Sequence, residues 1–211
     1  MPAREPWPGL VLYHLFKWPV VAPTFWWYLR GRVEGFEYVP RRGAFVAVCN
    51  HASDFDPPLV SCALGRPVAY MAKAELFQVP VLATLIRWYG AFPVQRGTSD
   101  RQAIQAALTA LRQGWATGIF LSGTRTPDGR VTEPKLGAAL IAAKAQVPLL
   151  PVMLWGTQHI RPPGCRWPRS TPVTIRIAPP VAPPADTQRE HLTQVTWDCC
   201  RILNQLHDQG R

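Results

Sequence analysis

From residue 44 onward, short apolar runs alternate with segments whose apolar residues recur at helical spacing. Ala44–Cys49 reads as a buried strand, and Asp56-Pro57-Pro58 as a helix start, because proline is tolerated in the first helical turn. Val68–Ala72 predicts a second strand, Val79–Tyr89 a helix and Ala91–Val94 a short strand. Ser99 and Gln102 have capping-box spacing. The helix they open places Ile104, Ala107, Leu108 and Leu111 on one face and stops near Gly114. Gly118–Leu121 then predicts a strand, Gly137–Ala145 a helix and Leu149–Leu154 a strand. Pro162–Pro172 is a polar, proline-bearing loop, Val173–Ile177 a last strand, and Pro179–Pro184 a rigid linker. Thr187 and Glu190 are the expected cap of an amphipathic helix carrying Leu192, Val195, Cys199, Ile202 and Leu206. Such alternation predicts an α/β fold: one domain with a mostly parallel or mixed central sheet flanked by helices.

The first 32 residues differ. Between Trp7 and Tyr28 lie four of the nine tryptophans, with Tyr13, Phe16 and Phe25 among them. The longest uncharged stretch, Trp18–Leu29, has 12 residues, short of the ~20 needed to cross a bilayer, and Pro19 and Pro23 interrupt it. Tryptophan and tyrosine favour the membrane–water boundary, and Arg30, Arg32, Arg41 and Arg42 follow. Residues 1–32 are therefore expected to form an interfacial, monotopic membrane anchor, and 33–211 the catalytic domain. The competing possibility is that the segment only covers the core. No signal peptide is visible, since His14 and Lys17 break the apolar stretch and no small-residue cleavage site follows.

Composition narrows the partners. The formal net charge is +10, and only 4 of the 23 basic residues are lysine. Such a surface attracts anionic head groups, phosphorylated substrates or nucleic acid. The aromatics gather near residues 7–28 instead of alternating with arginine, which argues against nucleic acid. The five cysteines show neither metal-clip nor disulfide spacing and predict reduced thiols in a cytosolic setting.

The candidate chemistry begins at Asn50-His51-Ala52-Ser53-Asp54-Phe55-Asp56-Pro57, between a strand and a helix, where ligands bind in open α/β sheets. In a His–Asp pair the carboxylate fixes the ring tautomer, and the other nitrogen takes a proton from a hydroxyl. Equally, Asp56 is a good helix cap and His51 an ordinary turn residue. Gly90–Gly97 ends a short strand with an arginine beside a glycine, Gly118–Arg125 ends another in a glycine turn that again carries an arginine, and Val147–Val152 starts a third strand. Together they present amides and guanidinium groups to an anion; singly, each arginine reads as a solvated surface charge.

The order of these blocks resembles the glycerolipid acyltransferases typified by 1-acyl-sn-glycerol-3-phosphate acyltransferase. Asn-His-x-Ser-x-x-Asp falls on Asn50, His51, Ser53 and Asp56. Val94-Gln95-Arg96-Gly97 is similar to the second block, and Phe120-Leu121-Ser122-Gly123-Thr124-Arg125 to the third. Val147–Val152 is similar to the fourth. Lys73 and Glu75, and Lys135-Leu136-Gly137, resemble lysine-bearing stretches after the first and third blocks. The resemblance runs from about Phe36 to Leu154. It implies transfer of an acyl group from acyl-CoA or acyl-carrier protein to the hydroxyl of a lysophospholipid, foremost 1-acylglycerol-3-phosphate, on the cytoplasmic face of a membrane. It implies His51 as base and Asp56 as its orienting partner. Lys73, Arg96, Arg125 and Lys135 would hold the acceptor phosphate, and amides near Gly123 and Thr124 the oxyanion. No cofactor or metal is needed. One departure stands out: Ser122 replaces the family's usual glutamate, and Leu121 its proline. A serine cannot orient the neighbouring arginine by charge but can still hydrogen-bond, which leaves open a different acceptor lipid. A non-catalytic lipid-binding protein is a separate alternative, against which the intact His51–Asp56 pair argues.

Overall fold

A computed structural model describes residues 11, 13–15, 17–80, 83–84, 86, 91–94 and 101–211. Among these residues, seven strands form one mixed sheet in the order β1-β7-β6-β2-β5-β3-β4. They are β1 (Arg32–Glu34), β2 (Val46–Cys49), β3 (Val68–Lys73), β4 (Phe92–Val94), β5 (Ala116–Phe120), β6 (Leu149–Trp155) and β7 (Thr174–Ile177). Strands β6, β2, β5, β3 and β4 run parallel, while β7 pairs antiparallel with β6 and carries β1 beside it. The α-helices with both ends among the described residues are α1 (Asp56–Leu64), α2 (Arg101–Arg112), α3 (Gly137–Ala145) and α4 (Arg189–Asp208).

Alternation along β2 divides the core. Ala47 and Cys49 face a cluster with Leu59, Val60 and Leu64 of α1. Val46 and Val48 face Leu108 and Leu111 of α2, Ile141 of α3 and Leu203 of α4. A period of two on a central strand thus makes three layers, with α1 on one face and α2–α4 on the other.

The predicted elements appear with shifts at their ends, and α3 spans the expected residues. The helix expected over 79–89 falls mostly outside the described residues, as does Ser99 of the capping box. Strand β1 went unanticipated. The cap expected from Thr187 and Glu190 is absent: helix α4 has Gln188 at its N-cap without a side-chain cap bond. Asp186 closes that turn instead, accepting from the Gln188 N–H (2.8 Å) and meeting His191 Nδ1 (2.8 Å). The backbone bond holds its carboxyl below the ordinary aspartate range.

In the first 32 residues, Tyr13, Lys17, Val21, Phe25 and Leu29 are buried at intervals of four. The Tyr13 hydroxyl donates to the Ser61 carbonyl of α1 (2.6 Å), and Phe25 and Leu29 join the α1-side core. Lys17 lies 5.3 and 5.5 Å from the Tyr13 and Trp18 rings, and burial lowers its pKa. The other side is bare: Trp27 is 80% exposed and Trp18 63%. Two short π-helical turns, Lys17–Val21 and Thr24–Tyr28, accommodate Pro19 and lead from Pro23. Among the described residues, no helix is long and apolar enough to cross a membrane.

All five cysteines are free thiols, and four are buried. Burial and the Asp56 charge push the Cys49 thiol far up, and burial pushes Cys199 up to about 12. A raised thiol pKa leaves little thiolate at neutral pH. A disulfide-exchange reagent at pH 8 should therefore titrate Cys165 alone in the native protein, and all five thiols in denaturant. Phe25 is fully buried, so Phe25→Ala should lower unfolding free energy by about 3–5 kcal/mol in a urea titration. A change below ~1 kcal/mol would mean that the segment does not belong to the folded unit.

Candidate active site

Adjacent strands β2 and β5 send their chains to opposite faces, β2 into α1 and β5 towards α3. Their carboxyl ends therefore open a crevice at a switch point of the sheet. His51 leaves β2 there. Asn50 anchors this exit: its Oδ1 accepts from Leu154 N–H (2.7 Å), and its Nδ2 donates to the Leu154 (2.9 Å) and Gly129 (2.7 Å) carbonyls. The side chain thus continues the β2–β6 ladder past Cys49.

Asp56, wholly buried at the start of α1, accepts three hydrogen bonds on one oxygen. Donors to Oδ2 are Ala52 N–H (2.7 Å), Ser53 N–H (2.8 Å) and His51 Nδ1 (2.8 Å). A neutral His51 therefore carries its proton on Nδ1, and Nε2 keeps its lone pair. The helix N-terminus adds favourable field to the carboxylate. Asp56 is not the helix cap: Phe55 holds the N-cap position without a side-chain bond, Pro57 and Pro58 offer no N–H, and Asp56 serves the preceding loop and the imidazole.

The ring is also held by its face. His51 stacks on Phe120 at 3.9 Å between centroids and 16° between planes, and Phe120 stacks on Tyr70 at 5.7 Å. Tyr70 pairs with Gly118 across β3 and β5. A Cβ on Gly118 would lie 2.1 Å from the Tyr70 ring, so only glycine lets this stack form. The Thr126 N–H (2.8 Å) and hydroxyl (3.2 Å) both donate to the His51 carbonyl. Backbone, Nδ1 and ring face are each fixed, while the His51 side chain stays 16% exposed.

The third block wraps the other side of the crevice. Gly123 takes a φ of +70°, the left-handed region glycine favours. Its N–H donates to the Phe120 carbonyl (3.0 Å), so this amide is engaged within the turn and not directed at an oxyanion. The Ser122 hydroxyl donates to the Thr124 carbonyl (2.6 Å). Ser122 therefore braces its own turn and does not hold Arg125, the hydrogen-bonding role that replacement of the glutamate left open. Arg125 Nη1 instead meets Asp54 Oδ1 (2.6 Å), and Arg161 Nη2 meets Asp54 Oδ2 (2.8 Å). Lys135 donates its N–H to the Leu121 carbonyl (2.8 Å). Its Cγ lies 3.6 Å from where a Gly123 Cβ would be, and its Nζ is 3.7 Å from Glu133.

Of the expected residues, His51, Asp56, Gly123, Thr124, Arg125 and Lys135 gather at the carboxyl ends of β2 and β5. Lys73 closes β3 on that edge of the sheet, with its side chain outside the described residues, and Arg96 lies outside them entirely. Sequence reasoning missed Tyr70, Phe120, Asp54 and Arg161 as parts of the site. Gly118 in a buried strand was one legible signal for the stack, since such a glycine marks a close neighbour.

Known proteins resemble this chain in the same region. The acyltransferase family model matches residues 30–155. A chloroplastic 1-acyl-sn-glycerol-3-phosphate acyltransferase of Brassica napus is 32% identical over 135 residues, 63% of this chain and 39% of that protein. The Bacillus subtilis 1-acyl-sn-glycerol-3-phosphate acyltransferase is 34% identical over 133 residues, 61% of this chain and 65% of that one. The chain thus spans less than two thirds of the length of either relative. The crystal structure of the 1-acyl-sn-glycerophosphate acyltransferase PlsC from Thermotoga maritima superposes with a TM-score of 0.76 at 33% identity, covering 93% of this chain and 79% of that one. With the matched region containing His51, Asp56 and the third block, and with the fold shared over nearly its whole length, the chain belongs to the acyltransferase family.

Proposed function

We propose that this protein transfers a fatty acyl group from a thioester to the hydroxyl of 1-acylglycerol-3-phosphate, giving phosphatidic acid. The observation that carries the reading is the His51–Asp56 pair: a buried carboxylate bound to Nδ1 (2.8 Å) and a ring whose other nitrogen is left for substrate. Nε2 takes the proton of the acceptor hydroxyl as its oxygen attacks the thioester carbonyl. The tetrahedral intermediate collapses by breaking the carbon–sulfur bond, and the imidazolium returns the proton to the departing thiolate. Asp56 stabilises the imidazolium between these steps. The donor is an acyl-CoA or an acyl-carrier protein thioester. The Thr124 amide is the candidate oxyanion donor, and Arg125 and Lys135, with Lys73 and Arg96, are the candidate phosphate ligands.

The same reading puts the protein on a membrane surface, at the cytoplasmic face, where both lipids are found. Trp18, Trp26, Trp27 and Tyr28 are exposed together, a costly arrangement in water. Tyr28 donates its hydroxyl to the Pro168 carbonyl (2.8 Å), bringing the loop of Trp167, 74% exposed, beside them. Exposed Arg30, Arg32, Arg41 and Arg42 suit anionic head groups.

His51→Ala should lower turnover of acyl-CoA with lysophosphatidic acid by about 10²–10⁴-fold. Its thermal unfolding should stay close to wild type, because Ala52 and Ser53 still bind Asp56; undiminished product formation would sink the mechanism. Trp27→Ala should weaken binding to anionic liposomes about tenfold, from roughly 1.4 kcal/mol of lost apolar burial. Unchanged sedimentation with liposomes would remove the aromatic face from the membrane contact.

A further inference from the structure

Asp54 lies between His51 and Asp56, yet its carboxylate points away from the pair. It is about half exposed, and each of its oxygens meets a different guanidinium: Arg125 at 2.6 Å and Arg161 at 2.8 Å. The three side chains come from the loops that follow β2, β5 and β6, neighbours in the sheet. Arg125 precedes Thr126, whose N–H and hydroxyl hold the His51 carbonyl. The cluster is therefore tied to the loop of the candidate base through the backbone.

Two arginines on one carboxylate leave one positive charge in excess. Both guanidinium groups are about half exposed, 53% for Arg125 and 47% for Arg161. Ion pairs this open to water are weak and exchange readily. A carboxylate and a phosphate present oxygens of similar bite to the arginine fork, and the phosphate carries more charge. Asp54 thus acts as a small oxyanion built into the chain, marking where the two forks converge.

We propose that Arg161 is a further phosphate ligand beside Arg125, held on Asp54 until the headgroup phosphate of a lysophospholipid takes its place. The inference rests on the acyl-transfer reading of the site and adds a residue that lies beyond the blocks carrying the family resemblance. It also explains how Arg125 is oriented although Ser122 is occupied within its own turn.

The test is the KM for lysophosphatidic acid, with its binding to mixed micelles measured in the absence of donor. Arg161→Ala should raise that KM and weaken that binding about tenfold, with the donor KM unchanged and kcat within about twofold. Arg161→Lys should recover part of the loss. To separate a ligand role from a role through Asp54, the same change is made in an Asp54→Asn background. A direct phosphate ligand still raises the KM severalfold there, whereas no further effect means that Arg161 acts only through Asp54 and overturns the proposal. Equal binding of lysophosphatidic acid by wild type and Arg161→Ala overturns it as well. A wild type that neither binds nor acylates lysophosphatidic acid refutes the acyl-transfer reading itself, a result distinct from either of these.

Discussion

The arrangement around His51 depends on one buried carboxylate. Burying a carboxylate is costly unless it is hydrogen-bonded, and in Asp56 every such bond falls on Oδ2. Asp56 is compensated by two backbone amides, an imidazole and the start of α1. Those bonds fold residues 51–56 into a tight loop. The loop sets the direction of the imidazole and turns Asp54 outward towards two arginines. Asn50 secures one end of it and the proline-led helix the other. The chemical polarity of the site, with an imidazole inside and cationic groups outside, follows from where this carboxylate is buried.

Much of the scaffold was legible because it rests on local pattern. The buried run at Val46–Cys49, the Asp-Pro-Pro start of α1 and the helical spacing of Leu108 and Leu111 depend on neighbours in sequence. What escaped depends on distant partners. Strand β1 is three residues, Arg-Val-Glu, without an apolar run; it exists because β7 pairs with it and Arg176 binds Glu34 at 2.7 Å. Arg161 sits in a loop with no period, and only folding brings it to Asp54. The stack of His51, Phe120 and Tyr70 joins three strands whose order in the sheet is not their order in the chain. Ser122 is instructive in another way. The sequence left its hydroxyl available for a hydrogen bond beside Arg125, but that hydroxyl is satisfied two residues away, a local choice common for serine in turns.

The first 32 residues posed two alternatives, an anchor or a cover for the core, and the packing shows a cover on one side with uncovered aromatics on the other. Its inward side, from Tyr13 to Leu29 at steps of four, is continuous with the core against α1. Its outward side carries the exposed tryptophans. A helix with apolar residues on both sides is ordinarily buried all round. Here the second side stays bare, and it is this surplus of uncovered aromatic area, more than the composition, that distinguishes the segment from a simple lid.

The pairing of β1 with β7 has a consequence for synthesis. The Arg32 N–H reaches the Val173 carbonyl, and the Val173 N–H reaches the Leu29 carbonyl. These contacts span about 140 residues of chain, a separation that slows folding. While the ribosome is still adding those residues, α1 is already available to the inward side of the stretch around Phe25 and Leu29, but the strand that completes this part of the core is not. The nascent polypeptide consequently carries its exposed aromatic residues beside an unfinished core until β7 emerges.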